Sequence, residues 1–327
     1  MQTPDRSEIL SLLDRIGELP FSRLEDAVYH YQSRNNPLYQ QFLNLSGAGD
    51  KLSYHPGLPI QFFKTQEVQS GVWLANSVFS SSGTTGQQTS RHLVRDMEVY
   101  LTNALKGFEA FYGHPKNWVI LALLPSYLER QGSSLVAMVE RLISLSEHQE
   151  SGFFLNNFDQ LKQTLQACRK KGRQTLLLGV SFALLDFAEY APMDLSGVII
   201  METGGMKGRR KELTRTELHQ QLRDAFGVED IHSEYGMTEL FSQAYSTGDA
   251  IFHPTPTMRV FTTEINDPFC LVAQGKTGVL NVVDLANLDT CSFIQTEDLG
   301  RVYADGSFEI LGRLDAAELR GCNLMVE

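Results

Sequence analysis

The stretches Thr175–Val180 (TLLLGV) and Gly197–Glu202 (GVIIME) are short apolar runs, and an amphipathic segment, Phe182–Tyr190, separates them. Short apolar runs that alternate with helical patterns predict parallel strands joined by helices. A third run, Trp118–Leu124 (WVILALL), ends at Pro125 and predicts another buried strand. These stretches predict an α/β fold whose sheet is mostly parallel and is covered by helices on both faces.

Outward from these strands, apolar residues recur at the three-to-four spacing of amphipathic helices. The predicted helical segments are residues 5–45, 92–112, 132–145, 158–171 and 213–226, and Asp230–Glu234 predicts one more strand. From about residue 250 the pattern changes to short strands separated by turn sequences. Those strands are Met258–Thr263, Thr277–Asp284, Ser292–Gln295 and Phe308–Leu311. We therefore expect an α/β core over residues 1–250 and a smaller antiparallel, barrel-like segment over residues 251–327.

The composition narrows the classes of function. The 327 residues include 28 Lys and Arg against 39 Asp and Glu, which gives a formal net charge of −11. This charge argues against general binding of nucleic acid or of anionic membranes, although backbone amides and a few cations can still hold a phosphate. The sequence contains no apolar run long enough for a membrane span, and its four cysteines form no CxxC pair. We expect a reduced, cytoplasmic protein.

The segment Ser80–Gly86 (SSSGTTG) combines hydroxyl side chains with two glycines. A flexible backbone surrounded by hydroxyl donors is suited to binding a polyphosphate. The GxxxxGK[ST] spacing of a Walker loop is absent. A solvated loop of serine and glycine is the alternative interpretation.

Two further motifs carry carboxylates. Ser233–Glu239 (SEYGMTE) follows a predicted strand, where a hydroxyl beside a carboxylate can bind phosphate and magnesium; the alternative is a turn and a helix capped by Thr238. Thr296–Arg301 (TEDLGR) is followed by Leu311–Asp315 (LGRLD), and one carboxylate with a nearby arginine can bind a ribose. A hairpin with surface ion pairs is the alternative there.

In this order, the motifs resemble those of the adenylate-forming superfamily of acyl-CoA synthetases, luciferases and peptide-synthetase adenylation domains. SSGTTG resembles the phosphate loop of that superfamily, YGMTE its nucleotide and magnesium motif, TEDLGR its ribose motif and GRLD its hinge motif. The resemblance spans residues 80–315. It implies an enzyme that uses ATP and Mg²⁺ to convert a carboxylic acid into an acyl-adenylate.

The resemblance also implies roles for individual residues. Thr238 would contact the α-phosphate, Glu239 would bind the magnesium ion, and Tyr235 would stack on adenine. Glu202–Gly205 resembles the segment that lines the adenine pocket; an ordinary turn is the alternative interpretation. The implied nucleotide-binding set is Ser82, Gly83, Thr84, Thr85, Gly86, Gly204, Gly205, Glu234, Tyr235, Gly236, Asp298 and Arg313.

Two departures narrow the resemblance. Twelve residues follow Asp315, so the C-terminal mobile domain of ordinary members, with its catalytic lysine, is expected to be absent. The phosphate loop also lacks the lysine that many relatives have, and the charge of the departing pyrophosphate needs a cation. The candidates are Lys64, Arg91, Lys207, Arg209 and Arg210, and we assign Lys207 a catalytic role.

A short chain of this kind is similar to the acyl-protein synthetases of bacterial fatty-acid reductases (LuxE-type), within the phenylacetate-CoA ligase-like group. Pro59–Lys64 (PIQFFK) and Gly204–Lys207 (GGMK) fit that group. A cysteine near the C-terminus accepts the acyl group in that family, and Cys322 occupies a comparable place; an inert cysteine is the alternative. The other thiols, Cys168, Cys270 and Cys291, are predicted to be packing residues.

The substrate is expected to be a carboxylic acid, with a fatty acid favoured but an aryl acid left open. Apolar residues that could line its pocket are Phe153, Phe154, Phe182, Leu184 and Met201. The expected final acceptor is Cys322 itself, a partner protein such as a reductase, a carrier protein or coenzyme A. The alternatives are the core of an acyl- or aryl-CoA ligase and a nucleotide-binding subunit without turnover.

Overall fold

A computed structural model describes residues 4–47, 52–81, 88–125, 132–155, 157–204 and 213–314. The helices in these ranges are α1 (Arg6–Leu13), α2 (Phe21–Asn35), α3 (Pro37–Ser46), α4 (Phe62–Thr65), α5 (Met97–Tyr112), α6 (Ser134–Ser144), α7 (Phe158–Lys170), α8 (Ser181–Tyr190) and α9 (Arg215–Phe226). The strands are β1 (Leu58–Pro59), β2 (Ser77–Ser80), β3 (Arg91–Val94), β4 (Val119–Leu123), β5 (Gly152–Phe153), β6 (Thr175–Val180), β7 (Val198–Thr203), β8 (His232–Tyr235), β9 (Ala244–Ser246), β10 (His253–Pro254), β11 (Met258–Thr263), β12 (Gly278–Asp284), β13 (Phe293–Val302) and β14 (Phe308–Arg313).

The larger sheet has seven strands in the order β10-β9-β8-β7-β6-β4-β5. The pairs from β5 to β8 are parallel, whereas β8 with β9 and β9 with β10 are antiparallel. Every residue of β4 and β6 is buried, which accounts for their continuous apolar sequences. The predicted α/β class with a mostly parallel sheet is confirmed.

The second sheet has the order β1-β13-β12-β11, with β14 paired to the outer part of β13. All of its pairs are antiparallel except β1 with β13. Strand β13 extends to Val302, well beyond the predicted end at Gln295, because it pairs with β12 and then with β14. The antiparallel segment expected after residue 250 is therefore present. A separate two-stranded sheet pairs β2 with β3.

The chain forms two compact units. The first contains residues 1–78, 82–96 and 256–327, and the second contains residues 79–81 and 97–255. A buried glutamine links the ends of the first unit: Gln32 Nε2 donates to the carbonyl oxygens of Asn287 and Leu288, each at 3.0 Å, and Gln32 Oε1 accepts from the amide of Ser292 at 2.9 Å. The sequence placed one division at 250/251, whereas in the structure the N-terminal helices and the C-terminal strands share a unit.

Two predicted helices differ from the observed elements. The segment 5–45 is three helices, because Pro20 precedes α2 and Pro37 begins α3, whose first turn is capped by Asn36. The segment 92–112 begins as strand β3, and its helix starts only at Met97. Within the described ranges, no helix combines the length and the apolar character that crossing a bilayer would require.

Candidate functional site

The carboxyl edge of the parallel strands carries the first group of candidate residues. Strand β8 ends at Tyr235, and Thr238 and Glu239 lie in the turn that follows, in which the amide of Leu240 donates to the carbonyl of Met237 at 3.1 Å. Glu239 is buried and Thr238 is half-buried. The chain then enters β9, so the alternative of a helix capped by Thr238 is wrong. A hydroxyl and a buried carboxylate are thus adjacent where open α/β sheets bind ligands.

Tyr235 and Gly236 precede this turn. The Tyr235 ring is buried and tilted against Phe252, with 5.9 Å between the ring centroids. Gly236 is exposed, and a Cβ at this position would lie 2.5 Å from Glu234 Oε1. Only glycine therefore fits beside the Glu234 carboxyl group without displacing it. Stacking of Tyr235 on adenine stays a prediction.

Glu234 is a buried carboxyl group on β8. The hydroxyl of Thr203, its register partner on β7, donates a hydrogen bond to Glu234 Oε2. Burial raises the pKa of Glu234 to about 7, against a smaller lowering by Thr203, and the charge of Glu202 raises it further. The carboxyl group therefore keeps its proton to a higher pH than a solvent-exposed glutamate does.

Glu202 is equally buried but has cationic partners. Its carboxylate lies 3.2 Å from Arg215 Nε and 3.6 Å from His219 Nε2, and Ser181 donates to it at 3.1 Å. Burial raises its pKa, but His219, Arg215 and Ser233 together outweigh that effect, so the pKa is lowered. The sequence assigned this residue to an adenine-pocket segment and missed the network. Arg215 and His219 are four residues apart on one helix, which was the available signal.

Gly204 ends the described part of this segment. Its φ of +67° is in the left-handed region, where glycine carries no Cβ penalty, so the chain can turn away from β7. The Gly204 carbonyl accepts a hydrogen bond from Ser181 Oγ at 2.8 Å, which fixes the direction of this turn. Gly205 lies outside the described residues.

The second group of candidate residues lies on the β13–β14 hairpin of the first unit. Asp298 and Arg313 are direct register partners, and Arg313 Nε lies 3.4 Å from Asp298 Oδ1. Arg313 also donates to Glu297 at 3.0 Å, and Gln61 donates to the other oxygen of Glu297 at 2.9 Å. Asp298 is buried, whereas the Arg313 side chain is 67% exposed. The hairpin presents a fixed carboxylate under an accessible guanidinium.

Several predicted residues lie outside the described residues. They are Ser82, Gly83, Thr84, Thr85, Gly86, Gly205, Lys207, Arg209, Arg210 and Cys322. Of the other candidate cations, Lys64 lies 4.0 Å from Glu297, and Arg91 is exposed at the start of β3. The structure thus brings Lys64 next to the hairpin that carries Asp298.

Most of the described cysteines and most of the proposed pocket-lining residues are buried. Cys168 and Cys291 are buried, and burial raises the pKa of the Cys291 thiol to about 12, as expected for packing residues. Cys270 is partly exposed. Of the residues offered as pocket lining, Phe154, Phe182, Leu184 and Met201 are buried in the core and Phe153 is half-buried.

Comparison with solved structures identifies the fold. ATP-bound MatB from Rhodopseudomonas palustris matches with a TM-score of 0.55 and 17% identity, over 72% of this chain and 47% of that chain. A 2-hydroxyisobutyryl-CoA ligase in complex with 2-HIB-AMP and CoA matches with a TM-score of 0.62 and 14% identity, over 91% and 71%. The chain has the fold of an adenylate-forming N-terminal core.

Further comparisons show how much of the known structures this chain covers. A long-chain-fatty-acid-CoA ligase from Archaeoglobus fulgidus matches the adenylate-forming fold of this chain with a TM-score of 0.53 and 15% identity, over 75% of this chain and 52% of that chain. This chain spans about half the length of the MatB structures it matches. No protein-family model matches the sequence, and no curated protein matches it.

Proposed function

We propose that this protein is an ATP- and Mg²⁺-dependent ligase that converts a carboxylic acid into an acyl-adenylate and transfers the acyl group to a thiol. The observation that carries the proposal is the agreement between the fold and the motifs. The Thr238-Glu239 turn follows a central strand of an adenylate-forming fold, at the edge where ligands bind in such sheets. ATP-bound MatB and a ligase with 2-HIB-AMP share that fold.

In the first step, a carboxylate oxygen of the substrate attacks the α-phosphorus of ATP, and pyrophosphate leaves. Thr84 and Thr85, in the glycine-rich loop Ser82–Gly86, would hold the departing phosphates, and Thr238 would contact the α-phosphate. Lys207 would neutralise the developing charge. Positioning and charge neutralisation account for most of the catalysis in such a phosphoryl-centred substitution.

The resemblance assigns nucleoside binding to residues of each motif group. Asp298 would accept hydrogen bonds from the ribose hydroxyls, and its contact with Arg313 keeps the carboxylate in place. Tyr235, Gly236 and the Gly204–Gly205 segment would border adenine. The exposed side of Arg313 would reach the sugar or its phosphate.

The residues present are compatible with magnesium. Mg²⁺ prefers oxygen ligands and is commonly bound by one or two carboxylates together with substrate phosphates. Glu239 offers a buried carboxylate beside the Thr238 hydroxyl, and the described residues contain no group of three or more acidic, histidine or cysteine side chains placed to hold a metal ion. Glu239 and the phosphates of ATP would therefore bind the ion, whose charge would stabilise the phosphates.

In the second step, a thiolate attacks the acyl carbon, a thioester forms, and AMP leaves with the electron pair of the broken bond. We assign the thiol to Cys322, as in the acyl-protein synthetases. A thioester on this residue would then be passed to a partner reductase or carrier protein. The acid is proposed to have an aliphatic or an aryl carbon skeleton.

A second candidate is the core of a CoA ligase, in which coenzyme A supplies the thiol. The match to the 2-hydroxyisobutyryl-CoA ligase in complex with 2-HIB-AMP and CoA, over 91% of this chain, favours this alternative. Both candidates share the adenylation step and differ only in the acceptor.

Exchange of labelled pyrophosphate into ATP, driven by a panel of carboxylic acids, tests the adenylation step. We expect exchange with at least one acid, a loss of about 100-fold or more in Glu239→Gln, and a raised KM for ATP in Asp298→Asn. The exposed surface variant Glu229→Gln is the matched control and should retain the wild-type rate. ATP binding without exchange for any acid would instead identify a nucleotide-binding subunit.

Intact mass spectrometry after incubation with ATP and the active acid identifies the acceptor. Acylation of Cys322 predicts a hydroxylamine-sensitive adduct that is lost in Cys322→Ser and retained in Cys270→Ser. An adduct that survives Cys322→Ser rejects this assignment. Formation of acyl-CoA without a protein adduct would select the CoA ligase.

A further inference from the structure

The face of the larger sheet that carries Glu234 also carries two buried hydroxyl groups. Thr203, Glu234 and Tyr245 are register neighbours on β7, β8 and β9, so their side chains lie on the same face of the sheet. All three are buried in the second unit. Polar groups in such a position are normally satisfied by hydrogen bonds.

The Glu234 carboxyl group is only partly satisfied. Thr203 supplies a hydrogen bond to Oε2, whereas Oε1 lies beside the exposed Gly236, which has no side chain to cover it. The nearby Glu202 is negative and disfavours a second charge here. A carboxyl group with one neutral donor is costly to bury, and a further donor would stabilise it.

Gln243 borders the same position. Its Cγ lies 3.7 Å from where a Cβ on Gly236 would be, so the Gln243 and Glu234 side chains are neighbours across Gly236. Its Nε2 donates to the Phe241 carbonyl at 3.2 Å, but Oε1 is buried and has no hydrogen-bond partner among the described residues. Gln243 is only 4% exposed. This amide oxygen is therefore an unsatisfied acceptor at the edge of the strands.

The third polar group, the Tyr245 hydroxyl, is also poorly paired. The acceptor found for it is Met138 Sδ at 4.0 Å, and a thioether is a weak acceptor. Glu234 Oε1 and Gln243 Oε1 thus have spare acceptor capacity in the second unit, and the nearby Tyr245 phenol has only a weak acceptor for its proton. An apolar ligand would leave these groups without the hydrogen bonds that buried polar groups need.

We propose that the activated acid carries a hydrogen-bond-donating polar group, an amine or a hydroxyl, which Glu234 Oε1 and Gln243 Oε1 bind at the carboxyl edge of β8. This inference rests on the proposed function, because it names the substrate class of the same enzyme. It replaces the apolar acyl pocket expected from the sequence and the nucleotide-binding role that the resemblance implied for Glu234. Glu234 thereby acts as a specificity residue of the acid site.

The test compares matched acids in the pyrophosphate exchange assay. The pairs have equal length and differ in one group: 6-aminohexanoate and 6-hydroxyhexanoate against heptanoate, and 4-aminobenzoate and 4-hydroxybenzoate against 4-methylbenzoate. We expect kcat/KM to be at least about 10-fold higher for the amino or hydroxy member, because a site built for a donor rejects an analogue without it. The amine and hydroxyl arms distinguish the two donors.

Variants assign this preference to residues. Glu234→Leu should reverse the preference, and Gln243→Leu should reduce it, while Glu229→Gln should leave it unchanged. Glu234→Gln keeps the size of the side chain and an oxygen atom that accepts the Thr203 hydrogen bond. A change of substrate preference in this variant is therefore attributed to the lost carboxyl group rather than to misfolding. The ATP KM of each variant measures the integrity of the nucleotide site separately.

Two results overturn the inference and are distinguishable. Exchange that is equal or faster with the methyl-ended acids, and a ratio that Glu234→Leu leaves unchanged, would reject the polar site and leave the ligase intact. Bound ATP without exchange for any of these acids would reject the proposed function, and the inference would fail with it.

Discussion

The two faces of the larger sheet each bury a carboxyl group, and the pKa values of these two groups shift in opposite directions. On one face, Glu202 is surrounded by Arg215, His219 and Ser181, and its pKa is lowered although burial acts against this. On the other face, Glu234 of β8 has the Thr203 hydroxyl as its donor, and burial raises its pKa to about 7. Burial is similar in both places, so the supply of partners decides the protonation state.

This difference separates a structural carboxylate from a candidate binding group. Glu202 ties α9 to β7 through charges that are already paired. Glu234 keeps acceptor capacity that the protein does not use. A stability measurement should therefore respond strongly to changes at Glu202, and a specificity measurement should respond to changes at Glu234.

The largest effect is expected for Glu202→Gln, which leaves Arg215 and His219 without their anion. Breaking a buried ion pair from one side costs about 3–5 kcal/mol in the free energy of unfolding. Urea unfolding at pH 7 measures this loss. The double variant Glu202→Gln/Arg215→Met should recover part of it, and a loss below about 1 kcal/mol would show that the network contributes little to stability.

The next effect is a pH dependence of opposite sign for the two residues. Because the folded pKa of Glu234 is raised from 4.5 to about 7, the native state holds its proton longer, and stability falls as the pH rises through this window. Glu234→Gln should remove a decrease of about 3 kcal/mol between pH 4.5 and 8. The lowered pKa of Glu202 contributes stability above pH 4.5 that is lost in more acidic solution.

Unfolding curves of wild type and Glu234→Gln, measured from pH 5 to pH 8, test this prediction. The variant should gain stability relative to wild type as the pH increases. If the stabilities of the two proteins changed in parallel over this range, Glu234 would not titrate between pH 5 and pH 8.

A smaller effect is expected for Thr203→Val, which removes the donor to Glu234. The cost should be about 2 kcal/mol at pH 8, where the acceptor is charged, and about 1 kcal/mol at pH 5, where it is neutral. Thr203→Ser keeps the hydroxyl and serves as the control. Equal losses at both values of pH would argue against a bond to an ionisable group.

The smallest effect is expected for Gly236→Ala. The new Cβ would lie 2.5 Å from Glu234 Oε1, and the end of this flexible side chain can move aside at a cost of about 1 kcal/mol. In a Glu234→Ala background the cost should disappear. Additive effects in this double-mutant cycle would contradict the contact.

Much of the fold was predictable where one local signal dominates. Strands β6 and β11 have the predicted ends, because continuous or alternating apolar residues permit few other structures. Strand β3 was assigned to a helix, since its four residues merge with the apolar pattern of α5 and only pairing with β2 identifies them as a strand. Pairing between distant segments is not visible in a local pattern.

The candidate site shows the same division. The order of motifs placed Thr238 and Glu239 at the end of a strand, as the structure shows. The contrast between Glu202 and Glu234 was not predictable, because it depends on the register of β7 against β8 and on which face α9 covers. The residues that would line an apolar pocket were chosen by hydrophobicity, a property that buried core residues share.

The bond network of Gln32 has a consequence for how the protein is made. The first unit needs α2 and the residues around Ser292, which are 260 positions apart. During synthesis its N-terminal helices must wait until the last strands have left the ribosome, whereas the second unit can fold as soon as residue 255 has emerged. Truncation near β13 should therefore release the amino-terminal helices to proteases and chaperones while the parallel sheet survives.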